Sequence, residues 1–106
     1  GQPVFLKIDI EGGEFGLLPA IRDIVADPLV TAFVSFHSKM LRHALVAADA
    51  EAWQQPYIDR HLAVLDSLPW TRRITLQDSQ KVTRTALERA LRRRFRFPEE
   101  LLITNA

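Results

Sequence analysis

The chain has 106 residues, 47% of them hydrophobic and 25% charged, with a formal net charge of +1. That composition supports one modest core in a single domain, residues 1–106, and excludes a protein whose whole surface traps nucleic acid electrostatically. Cysteine is absent, which excludes a disulfide framework and a thiolate-ligated zinc site.

No apolar run approaches the roughly 20 residues of a membrane span, and no basic-then-apolar leader precedes the first strand, so the sequence reads as soluble and cytoplasmic. The chain opens on Gly1-Gln2-Pro3-Val4 with no initiating Met and enters a strand at once, as if cut from something longer.

The first predicted element is a strand over residues 4–10, VFLKIDI, long and apolar except for Lys7 and Asp9. Gly12-Gly13 breaks it. Leu17, Leu18, Ile21, Ile24 and Val25 then recur at spacings of three and four, which predicts a helix with Pro19 in its first turn. Asp27-Pro28 closes that helix. A second strand is predicted over 29–36, so continuous in apolar and β-branched residues that it reads as covered on both faces. His37 follows its end.

Helices are predicted over 39–48 and 57–68, with a break at Trp53-Gln54-Gln55-Pro56. WTRRITL, residues 70–76, reads as a short third strand and Asp78-Ser79 as a turn. Thr83 or Thr85 can cap a helix running to about Phe95, and Glu88 stands at capping-box spacing from Thr85. ELLIT, after Pro98, is the fourth strand. Strands alternating with helices predict an α/β layered domain with parallel leading strands and a right-handed crossover.

Ligands in such sheets bind beyond the carboxyl ends of the strands, where Asp9-Ile10-Glu11 and His37 fall. Period-two alternation puts Phe5, Lys7, Asp9 and Glu11 on one side of the first strand. Same-face neighbours lie about 6.6 to 7 Å apart, so Lys7 is placed to keep Asp9 ionised. An ion pair at a sheet end is the plain structural alternative. Several kcal/mol of desolvation per unpaired buried charge argues that three charges there serve chemistry. His43 and His61 fall in helical text and carry no expected role.

LKIDIEGGEFGLL resembles the signature of FkbM-type S-adenosylmethionine-dependent methyltransferases, roughly K-[IV]-D-[IV]-E-G-x-E before an apolar helix. Lys7, Asp9, Glu11, Gly12 and Glu14 match. Ser35-Phe36-His37 keeps the family's His after the next strand and carries Ser where Glu is commoner. The resemblance implies a partial Rossmann-like class I methyltransferase fold. That is a mainly parallel sheet with helices on both faces, ordered 3-2-1-4-5-7-6 with the seventh strand antiparallel, of which these strands are the fourth to the seventh.

It further implies S-adenosylmethionine as cofactor, met here by Asp9 and Ile10. The acceptor would be a hydroxyl on a sugar, glycan or polyketide-like molecule. Asp9 is the first candidate for the base and Glu11 the second, with Lys7 tuning Asp9 and His37 binding the acceptor or sharing the proton. The Gly-rich first-strand loop and the ribose-binding acid belong to a half outside these residues, so the chain alone is expected to be inactive. Its first strand, lacking a neighbour, is expected to invite self-association.

Three other readings stay open. FLKIDIEGG is faintly like the D-x-D strand end of haloacid-dehalogenase-like phosphoryl-transfer enzymes, with Glu11 in place of the second Asp. Asp9, Glu11 and His37 are also acceptable ligands for a divalent cation assisting methyl transfer. The Arg-rich stretch RTALERALRRRFRF is either a solvated helix face or a surface for phosphates; with no aromatic platform beside it, nucleic acid is a poor fit.

Overall fold

The computed structural model describes residues 2–10 and 17–105, of Ile10 only the backbone. In chain order the elements are β1 (Val4–Ile10), α1 (Leu17–Ala20), α2 (Arg22–Ala26), β2 (Val30–Phe36), α3 (Ser38–Ala48), α4 (Gln54–Ser67), β3 (Arg73–Thr75), α5 (Arg84–Arg94) and β4 (Glu100–Thr104). The fold is α/β with one four-stranded mixed sheet, ordered β1-β2-β4-β3.

β1 and β2 pair in parallel, Val4 opposite Val30 through Ile10 opposite Phe36. β4 pairs antiparallel with β2 on one side and with β3 on the other. Two of three pairings are therefore antiparallel, where a mainly parallel sheet was expected. By direction β1, β2 and β3 run together and β4 alone opposes them.

Burial along β2 alternates. Val30, Ala32, Val34 and Phe36 are buried, while Thr31, Phe33 and Ser35 are half-buried. The register carries the same alternation across the sheet, placing Ile8, Ala32, Val34, Leu101, Ile103 and Ile74 on one closed face. The other face carries Phe5, 65% exposed, with Lys7 and Asp9, also exposed. Full covering of β2 on both faces is not observed. A central strand enclosed twice would bury every residue, and this one buries every second.

The closed face joins a core with helical stripes. α4 contributes Tyr57, Ile58, His61, Val64 and Leu65, spaced as one face of a 3.6-residue helix. α5 contributes Leu87 and Leu91, and Leu18 and Val25 come from α1 and α2. The predicted helix over 17–25 divides at Ile21, whose φ of −114° and ψ of 19° leave the helical region.

α4 begins earlier than predicted because Pro56 sits in its first turn, where a missing N–H breaks no intrahelical bond. β3 is shorter than WTRRITL because Trp70 is used otherwise: its indole N–H donates to the Leu65 carbonyl at 2.7 Å, closing the C-terminus of α4. Arg72, 9% exposed, donates to the Val25 carbonyl at 2.9 Å and ties α2 to the amino edge of the sheet.

Candidate functional site

The carboxyl edge of β1 and β2 carries the predicted groups that can be located. Asp9 is the penultimate residue of β1, and His37 leads from β2 into α3. Asp9 Oδ1 and His37 Nε2 lie 3.8 Å apart, with both side chains open to solvent. Adjacent parallel strands bring them together, because Asp9 is opposite Ser35 and His37 stands two residues further on. Glu11, Gly12 and Glu14 and the side chain of Ile10 lie outside the described residues.

Lys7 shares the face of Asp9 but makes no ion pair with it, so direct tuning of Asp9 by Lys7 is not observed. Neither Lys7 nor Asp9 is a buried charge. Both are exposed on an edge strand, where a charge keeps most of its hydration and costs little.

Beside this pair opens a cleft of about 610 Å³, within the usual range for small-molecule sites. Its walls come from the end of β2, the first turn of α3, Tyr57 of α4, the segment after α5 and the start of β4. Asp9 stands outside the lining and joins it through His37. Phe36 and Phe97 meet edge to face, ring centroids 5.0 Å apart. The end of α5 is shaped by Phe95, at φ 52° and ψ 43°. That left-handed conformation costs roughly 1–2 kcal/mol in a residue with a Cβ, and the ring packs against Trp53 at 5.2 Å.

Polar residues in and behind the cleft that were not foreseen include Ser38, His61 and Glu100. Ser38, the first residue of α3, meets His61 Nε2 through its Oγ at 2.8 Å, and His61 Nδ1 meets the Tyr57 carbonyl at 2.7 Å. A carbonyl only accepts, so Nδ1 carries the proton, Nε2 is bare, and the Ser38 hydroxyl donates to it. Burial lowers the His61 pKa from 6.5 to about 4, against the raising effect of the Tyr57 carbonyl, so the ring is neutral at physiological pH. Burial also raises the Tyr57 pKa, opposed by Ser38 and Arg42.

The third residue is Glu100. Antiparallel pairing places it opposite Ser35, so Asp9, Ser35 and Glu100 form one row on the open face. Its Oε2 is buried and has no hydrogen-bond donor among the described residues. The periodicity of α4 was the signal available for His61, since it falls in step with Tyr57, Ile58, Val64 and Leu65. Glu100 had none, because strand order fixes its neighbours.

Among the described residues no three His, Asp or Glu side chains gather as a metal site. The Arg-rich stretch is partly neutralised. Arg84 pairs with Asp66 and Glu88, both at 2.6 Å, and Arg92 with Glu88 at 2.9 Å. Among the described residues no helix is long and apolar enough to cross a membrane. No protein-family model, curated protein or solved structure matches the chain.

Proposed function

We propose that these residues form the acceptor-side half of an FkbM-type S-adenosylmethionine-dependent O-methyltransferase, with Asp9 as the base. The observation that carries this reading is the approach of Asp9 and His37 to 3.8 Å beside a cleft at the carboxyl edge of two parallel strands. The order β1-β2-β4-β3 with β4 alone reversed supports it, since strands four to seven of the class I methyltransferase sheet run in that order.

The chain by itself does not fit the whole cofactor. Among the described residues β1 has a neighbour on one side only, and no Gly-rich loop or ribose-binding acid accompanies it. The cofactor, held by the complete domain, supplies the methyl group. What these residues contribute is directed at the acceptor. His37 orients the hydroxyl by a hydrogen bond, and the solvated Asp9 carboxylate takes its proton as the oxygen becomes nucleophilic. The cleft holds the remainder of the acceptor and so fixes the direction of its hydroxyl.

The test is methyl transfer from labelled S-adenosylmethionine by a longer chain carrying the complementary half. Asp9→Asn is expected to lower turnover by roughly 10² to 10⁴ with little change in cofactor affinity. Intact turnover at saturating cofactor with weakened cofactor affinity makes Asp9 a binding residue instead.

A further inference from the structure

We propose that the cleft beside His37 binds an anionic sugar, phosphorylated or carboxylated, the cleft's carboxylates taking the hydroxyls and its cations the negative charge. This rests on reading the cleft as the acceptor side and narrows the acceptor class.

The cleft contains an unsatisfied acceptor. The Ser38 hydroxyl is already engaged, by His61 and by the Tyr57 side chain. Glu100 Oε2 is buried without a donor among the described residues, and Glu99 adds another carboxylate to the lining. A buried acceptor without a partner is costly, and more so when charged. A ligand with several O–H groups relieves that cost, and a polyol ring supplies them at close spacing. Tyr57, Phe36 and Phe97 offer apolar surface for its C–H faces.

The rim is cationic. Lys39, Arg42 and Arg96 line the cleft and are exposed, and none pairs with a carboxylate among the described residues, in contrast to Arg84 and Arg92. The Arg42 guanidinium lies 4.5 Å from the centroid of the Trp53 ring. Stacking of that kind fixes its plane and leaves its edge N–H groups for a fork onto phosphate or carboxylate. The first turn of α3 lines the same space and adds the positive end of its dipole. Carboxylates and unpaired cations in the same cleft favour neither a neutral sugar nor a bare anion, but a molecule that carries both hydroxyls and negative charge.

The experiment titrates the 106-residue chain with glucose 6-phosphate, glucuronate, glucose and inorganic phosphate, by calorimetry and by amide chemical shifts. One or both anionic sugars are expected to bind at least tenfold more tightly than glucose or phosphate, shifting amides of residues 37–42 and 95–100. Which of the two binds decides between phosphate and carboxylate. Arg42→Ala with Arg96→Ala is expected to abolish the preference. Lys39→Ala, far from the core, is expected to weaken it several-fold if the double variant fails to fold.

Glucose binding as tightly as its phosphate overturns the anionic requirement, and phosphate alone binding as tightly overturns the sugar. No shift with any ligand overturns both. Methyl transfer by the longer chain without preference for anionic acceptors defeats this proposal and leaves the methyltransferase reading intact. Anionic sugar binding without methyl transfer does the reverse.

Discussion

At the scale of single residues, His61 has the clearest solution consequence. It is fully buried, with Ser38 and the Tyr57 carbonyl on its two nitrogens and the rings of Tyr57 and Phe97 tilted against it at 4.4 and 4.7 Å. Its pKa is about 4 folded against 6.5 unfolded, so between those values the unfolded chain binds the proton more readily. Stability from this residue is complete above pH 6.5 and is lost as pH falls toward 4, a total of about 3 kcal/mol. Urea unfolding at pH 7.5 and 4.5 checks it: the wild type is expected to lose more stability across that interval than His61→Leu, whose carboxylates titrate alike. An equal loss in both proteins assigns the acid sensitivity elsewhere.

At the scale of elements, α5 shows how a helix end is decided. Thr83, not Thr85, is the cap: its Oγ accepts from the Ala86 N–H at 3.2 Å. Glu88 pairs with Arg84 and Arg92 instead of closing a capping box. Thr83→Ala is expected to lower stability by about 1 kcal/mol and Thr85→Ala by much less, measured by urea unfolding. β1, β2 and β4 were legible to within a residue because β-branched and large apolar runs have few other ways to be buried. β3 was not, since the indole of Trp70 found a carbonyl that no local pattern announces. Asp9 and His37 were legible as a pair because parallel strands joined by one crossover align their ends. Glu100 was not, since its place beside Ser35 depends on a pairing between distant parts of the chain.

At the scale of the whole molecule, the sheet is closed on one face and has β1 at one edge, with Val4 52% and Phe5 65% exposed. A cofactor at the end of β1 would be held from the β2 side only. Calorimetric titration of this chain with S-adenosylmethionine is therefore expected to show no binding in the low micromolar range; a dissociation constant there, about −8 kcal/mol, means that the chain holds a complete cofactor site. The position of β4 carries a different consequence, for biosynthesis. Among the described residues β4 follows β3 in sequence yet lies between β2 and β3. As the polypeptide leaves the ribosome, β1 and β2 can pair across their short crossover, but β3 has no strand to dock on until residues 100–104 emerge. The long loop that their arrival closes is slow to search. During that interval Ala32 and Ile74, which later flank Ile103 in the buried row, remain apart and open to other chains. The five residues of β4 act as the clasp of the fold, and a ribosome stalled before them would release a nascent chain with its sheet in two pieces.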